Sequence, residues 1–301
     1  MASRMAVLAS GSSGNATLLE TDGFSVLIDV GLGPRQLATR LAAAGASWQK
    51  VSAVVLTHTH SDHWRERTFE HLRRLKIPLF CHAEHQEMLS ACSAAFKALA
   101  LNGLVRAYKR ERELKLCERL SCRPFELQHD SVPTFGFRFE GGGGLFGPSW
   151  TMAYAADLGN WSAELVAALA DADVLALEFN HDEHMERISG RPRDLINRVL
   201  GDFGHLSNLQ AAELLSAVLS ACANVQPQHL IQLHLSHECN RPTLALAAVR
   251  KVMERHDITV HTAAQHSVGP ILSLDGKSGV RRRTTRTRTA ALPITTLPGM
   301  D

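Results

Sequence analysis

The segment LTHTHSDH, Leu56 to His63, places His58, His60, Asp62 and His63 within six residues. It directly follows the apolar run VSAVVL, residues 51–56, which reads as a buried strand. Extended backbone sends alternate side chains to the same side. His58, His60 and Asp62 are therefore expected to line one wall just past the strand end, with His63 pointing elsewhere. Four donors this close do not all meet one ion, whereas two ions a few ångströms apart resolve the geometry, as in two-metal hydrolases. Core histidines without metal would leave several buried polar groups unpaired, at a cost. Two ions need further ligands, and three other residues follow apolar runs in the same way: His129 after FELQ, Asp157 after TMAYAA and His234 after LIQL.

The elements that must position these residues follow from periodicity. MAVLAS reads as a strand, and ATLLET and FSVLIDV read as a hairpin joined at the turn DG. LSCRPFELQH, TFGFRFE and WTMAYAAD read as a second group of strands, with Gly141 to Gly144 at a hairpin tip. Residues 61–76 are expected to be a helix capped by Ser61, residues 83–101 a single helix, and ITVHTA the last strand. His82 and His85, early in the second of these helices, read as surface residues. Residues 180–187 read as a loop at a pocket rim. Two groups of strands separated by helices predict an α+β fold of two sheets packed face to face, with helices outside.

Composition narrows the class. The chain has 301 residues, 45% of them hydrophobic, and a net charge of +2. These values fit a globular protein with a large core. No apolar run reaches the roughly 18 to 20 residues of a membrane helix, and the first residues do not read as a secretory signal. A cytoplasmic protein without membrane contact is expected. Its six scattered cysteines form no C-x-x-C pair and read as reduced thiols. From Asp275 onward, six basic residues face two acidic ones, so the tail carries +4 and the remainder −2. We expect a domain over residues 1–273 and a basic, disordered tail over 274–301.

The ordered motifs LASGSSGN (8–15), LIDVG (27–31), THTHSDH (57–63), HD (129–130), ADLG (156–159), LEFNHD (177–182), GHLSN (204–208) and HLSHECNRP (234–242) resemble those of metallo-β-lactamase-fold hydrolases. Within that superfamily the chain is similar to the WalJ/YycJ group, which is related to PhnP phosphodiesterases and to ribonucleases Z and J. The resemblance spans residues 5 to 272. It implies an αββα sandwich of two mixed β-sheets, with His58, His60 and His129 on one metal ion and Asp62, His63 and His234 on the other. Asp157 would bridge the ions, and Asp29 would support the site from behind. Zinc suits the histidine-rich set, and manganese or iron suits mixed N/O ligation. Asp62, His205 and Glu178 are the candidate catalytic residues. His205 would act as the acid and Glu178 as its orienting partner, although the two could equally form a buried structural pair. Ser12, Ser13, Asn15, Asn180, His181 and Asn208 are candidate substrate contacts. The loop of Ser10 to Asn15 could offer amide donors to a phosphate or be plain turn chemistry.

The resemblance implies a 5′-to-3′ exonuclease acting on DNA. The alternative is a small-molecule hydrolase, acting on cyclic phosphodiesters, lactones or thioesters. Only 76 residues separate Asp157 from His234, which leaves no room for the large insertion of ribonuclease J. Two features depart from the group. Trp64 and Arg65 stand where a glycine is usual and are expected to reshape one pocket wall. The segment GGGGLFGPSW is longer than the corresponding hairpin.

Overall fold

A computed structural model describes residues 3–131, 133–142, 149–254 and 256–274. The tail from 275 and the tip of the glycine-rich hairpin, residues 143–148, lie outside the described residues.

The first sheet takes β1 (Arg4–Ala9), β2 (Ala16–Thr21), β3 (Phe24–Ile28), β4 (Val51–Val55), β5 (Leu79–Cys81) and β6 (Val105–Ala107) in sequence order. The second takes β7 (Leu114–Cys117), β8 (Leu120–Leu127), β9 (Thr134–Gly141), β10 (Trp150–Ala155), β11 (Val174–Glu178), β12 (His229–Leu233) and β13 (Thr259–Thr262). The chain then returns to the first sheet, where β14 (Leu272–Ser273) pairs antiparallel with β1. Both sheets are mixed. The hairpin strands β1–β3 and β7–β10 are antiparallel, and the strands joined through helices are parallel.

Three apolar layers make the αββα sandwich. The inner one lies between the sheets and contains Val7, Ile28, Val55, Phe137, Trp150 and Ile231. A second lies between the first sheet and α1 (Pro34–Ala43), α2 (Glu66–Leu75), α3 (Ala83–Cys92) and α4 (Ala94–Leu101). The third lies under α5 (Ala163–Leu169), α8 (Asn208–Ala221) and α9 (Pro242–Met253). Alternation explains the division: on β4, Ala53 and Val55 face the inner layer while Val54 faces the helices. Between α5 and α8 lie two short helices, α6 (Glu183–Arg187) and α7 (Arg193–Leu200).

Several local expectations are corrected. α2 begins at Glu66, not Ser61; Arg65 is its extended N-cap, and residues 61–63 form a turn that carries Asp62 and His63. The expected helix over 83–101 breaks at Ser93. This residue has an extended backbone, and its Oγ accepts a hydrogen bond from Phe96 N at 2.9 Å, capping α4. Residues 183–187 are helical and capped by Asp182, whose carboxylate accepts from Met185 N. His85 is fully buried, its Nε2 2.7 Å from the Pro133 carbonyl, and burial pushes its pKa down to about 4. ITVHTA is not the last strand, because β14 follows it.

Leu272 and Leu274 are buried in the inner layer. A chain ending after Ile271 should therefore be less stable than one ending after Leu274 by roughly 3 kcal/mol, from two lost leucine burials. Denaturant midpoints of the two truncations check this, and equal midpoints would refute it.

Candidate metal centre

The expected ligands converge where the C-terminal ends of strands from both sheets meet. Asp29 follows β3, His58 to His63 follow β4, Asp157 follows β10 and His234 follows β12. Three of them, Asp29, Asp157 and His234, have left-handed backbone with φ of 61°, 65° and 56°. Non-glycine residues seldom adopt this conformation, and it concentrates at functional sites. Here it ends each strand abruptly and leaves the side chain at the sheet edge.

Asp29 is fully buried. Its carboxylate accepts from Thr57 N at 2.8 Å, from Thr57 Oγ1 at 2.9 Å and from His63 Nδ1 at 2.7 Å. The Thr57 hydroxyl has one proton, which it gives to Asp29. Its 2.9 Å bond to His58 Nδ1 must then be one it accepts. Protons on Nδ1 leave Nε2 of both His58 and His63 as lone-pair donors directed into the cavity. His129 is fixed in the same way, its Nδ1 donating to the Gly204 carbonyl at 2.8 Å. Gly31 closes the back of the site, since a Cβ there would lie 1.7 Å from the Asp62 carbonyl.

The ligands assort into overlapping groups whose donor atoms lie within 4.8 Å of one another: His58, His60 and His129; Asp62, His63 and His234; and His58, His63 and Asp157. His129 Nε2 and His60 Nδ1 face each other at 3.3 Å. His234 Nε2 lies 3.3 Å from Asp62 Oδ2 and 3.4 Å from Asp157 Oδ1. His63 Nε2 lies 3.3 Å from Asp157 Oδ2. Both contacts are to the second of these groups; Asp157 reaches the first through His58, and a further group joins it to Glu178, His205 and His234.

Two observations test whether this set fits cations. His58 Nε2 is buried and makes no hydrogen bond among the described residues, and Asp157 Oδ2 faces the His63 ring at 3.3 Å without hydrogen-bond geometry; a cation would satisfy both. Electrostatics agrees. Burial alone would lower His63 and His234, but nearby carboxylates, Asp29 foremost for His63 and Asp157 for His234, raise both well above the usual imidazole range. Burial would raise Asp157, yet His234 and His63 hold it well below the carboxylate range. His58 is lowered well below its usual value by burial and then by His63. The carboxylates thus give the cavity around His63 and His234 a negative potential, which favours positive charge whether carried by a proton or by a cation. The residues fit a pair of divalent ions.

The centre opens into a cleft of about 500 Å³. His205 lies on its wall. His205 Nδ1 is 2.6 Å from Glu178 Oε1, and Glu178 Oε2 accepts from Leu158 N at 2.9 Å. Ser12 and Asn180 also line the cleft, and Asn180 donates to the His234 carbonyl at 2.9 Å.

The other expected substrate contacts sit elsewhere. Asn15 is buried behind the ligands, its Nδ2 3.2 Å from Asp62 Oδ2 and 3.1 Å from His63 Nε2. Asn208 is buried against Asn240. His181 is buried, and neither of its ring nitrogens makes a hydrogen bond among the described residues. Ser13 faces a different cavity. The amides of Gly11, Ser13, Gly14 and Asn15 are used inside the protein, which removes them as phosphate donors. Trp64 stacks on Phe69 at 5.3 Å and lies outside the cleft wall.

Sequence reasoning missed Thr57, Asp130 and Arg198. Thr57 sits inside the histidine motif and Asp130 directly follows His129, so proximity was an available signal. Asp130 Oδ1 lies 3.3 Å from His129 Nε2 and 3.5 Å from His60 Nε2, and its other oxygen pairs with Arg198 of α7.

Comparison with known proteins agrees with this geometry. Residues 25–235 match the β-lactamase superfamily domain. The chain belongs to the β-lactamase superfamily. This superfamily member is 25% identical to exodeoxyribonuclease YycJ of Bacillus anthracis over 275 residues, covering 90% of this chain and 97% of the relative. Its fold matches the metallo-β-lactamase fold protein YhfI of Bacillus subtilis with a TM-score of 0.62 at 18% identity, over 90% of this chain and 99% of that one. It also matches a diphosphatase from the PhnP family with a TM-score of 0.59 at 16% identity, over 91% and 98%. The family is one of metal-dependent hydrolases, and the fold implies divalent metal ions. No described helix is long and apolar enough to cross a membrane.

Metal analysis of the purified chain should find about two divalent ions per molecule, falling to about one in Asp157→Asn, where one carboxylate charge shared by both groups is lost. An unchanged content in the variant would exclude a bridging role.

Proposed function

We propose that this chain is a dinuclear-metal-dependent phosphodiester hydrolase that degrades DNA as a 5′-to-3′ exonuclease. One observation carries the reading: the groups of potential ligands around Asp157 border the same cleft as His205, whose ring is held by the buried Glu178 carboxylate. His58, His60 and His129 would hold one ion, and Asp62, His63 and His234 the other. The imidazole-rich set suits zinc, and the mixed N/O donors admit manganese or iron. Such ions, when bound, supply Lewis acidity to the phosphoryl group and to the attacking water. The nuclease name of the relative supports DNA as substrate.

The protein's own groups supply the rest. Burial would raise the Asp62 carboxyl, but His63 and His234 hold it far below the usual range, so it stays ionised. It borders the cleft and can orient water by accepting a hydrogen bond from it. His205 donates its Nδ1 proton to Glu178, which leaves Nε2 to deliver a proton to the departing 3′-oxygen. Burial alone would lower His205, and Glu178 outweighs it to raise the pKa, favouring the acid form. Glu178 in turn is ionised, burial being outweighed by His205.

A second reading, a small-molecule phosphodiesterase, is favoured by the cleft itself. Its volume of about 500 Å³ falls within the usual range of small-ligand sites.

Two assays test these proposals. Incubation with 5′-phosphorylated duplex DNA should release nucleotides from the 5′ end, and a chelator or Asp62→Ala should abolish release. Turnover confined to cyclic phosphodiesters would favour the second reading. His205→Ala should lower kcat on DNA by roughly 10²-fold or more. It should affect bis(p-nitrophenyl) phosphate much less, because p-nitrophenolate leaves without a proton. Equal losses on both substrates would remove His205 as the acid.

A further inference from the structure

The loop of residues 10–15 separates two cavities. Ser12 faces the metal-centre cleft, and Ser13 faces a second cavity of about 470 Å³. Three arginines line this second space: Arg40 of α1, Arg65 at the N-cap of α2, and Arg67 in its first turn. Arg40 donates to the Leu8 carbonyl at 2.7 Å and Arg65 to the carbonyls of Gly31 and Ser13 at 2.8 and 2.9 Å. Arg67 is exposed. Among the described residues, none of the three pairs with a carboxylate. The acidic residue on the lining, Glu66, is engaged elsewhere: its carboxylate accepts from Ser93 Oγ and from Ala95 N at the junction of α3 and α4.

Three guanidinium groups and one carboxylate, Glu66, around one cavity leave an excess of positive charge that favours an anion. Guanidinium forks match phosphate oxygens. The rim of the cleft itself lacks this property, since Arg198 pairs with Asp130 and Arg191 with Glu186 and Glu238.

We propose that this cavity binds a backbone phosphate of the DNA strand whose scissile bond lies in the neighbouring cleft. The inference rests on the phosphodiesterase reading. The loop between the cavities is thin: consecutive residues face opposite sides, and their Cα atoms are about 3.8 Å apart. A stacked strand advances about 3.4 Å per nucleotide. A strand that leaves the cleft across this loop passes the arginines on the other side. Arg65 ties the two sites together, because the carbonyls it holds belong to the segments packed against Asp62.

The test uses the full, metal-loaded chain and a short single-stranded oligonucleotide with a 3′ fluorophore and cleavage-resistant phosphorothioate linkages. Arg67→Glu, an exposed substitution, should weaken binding about tenfold and reduce the slope of log K against log salt by about 1 over roughly 50–200 mM salt. Arg67→Lys should restore the slope. Unchanged affinity and slope in Arg67→Glu, or no binding by the unsubstituted chain, would overturn the proposal. Displacement of the oligonucleotide by orthophosphate or a mononucleotide in the unsubstituted chain but not in Arg67→Glu would assign the cavity to free phosphate and also overturn it. Binding is read without turnover, so the two proposals fail separately. An Arg67 effect without any cleavage removes the hydrolase reading alone. Cleavage without an Arg67 effect removes the cavity assignment alone.

Discussion

The centre depends on one buried carboxylate. Asp29 lies in the plane where β3 meets β4, inaccessible to water, and holds both Thr57 and His63. Through the Thr57 hydroxyl it also fixes His58. One side chain therefore sets the tautomer of two imidazoles, one in each group of ligands. Burial makes its charge costly and raises its pKa, and the bond to His63 offsets that cost. Without Asp29, either ring nitrogen of His63 would be free to carry the proton, and the lone pair facing the cavity would no longer be fixed there.

Around this anchor the backbone is held in sparsely populated conformations. Asp29, Asp157 and His234 all bend left-handed as their strands end. Each such residue costs about 1 to 3 kcal/mol. The three apolar layers supply the stability that tolerates this. Rigid strands reach the edge, and the strained turn then aims a donor across the gap between sheets. His234 is further secured by its own amide, which donates to Ser10 Oγ at 2.8 Å.

Much of this architecture was legible in the sequence, for physical reasons. Apolar runs ending in His58, His129, Asp157 and His234 exposed the strand ends, because buried strands cannot hide their composition. The two groups of strands gave the layering. What escaped was local. Ser61 resembled a helix cap, but the ligand turn takes precedence over helix propagation until Arg65. Ser93 breaks a run of good helix formers, visible only through its capping role. His85 looked exposed by position on its helix, although that face packs on Phe135 and Tyr108. Asn15 and Asn208 have the polarity of substrate contacts but spend it inside the protein, which composition cannot reveal. The arginine cavity draws residues from α1 and α2, and only folding brings them together.

The order of strands carries a consequence for how the chain is made. Six strands of the first sheet are complete by Ala107, yet their inner face stays bare until the second sheet arrives, and β14 closes the edge last. A nascent chain emerging from the ribosome thus exposes an apolar surface during most of its synthesis, a period when sticky intermediates need shielding. Asp62 and His63 are also made long before His234. The group of Asp62, His63 and His234 is therefore complete only when nearly the whole polypeptide has been made, whereas that of His58, His60 and His129 is complete much earlier.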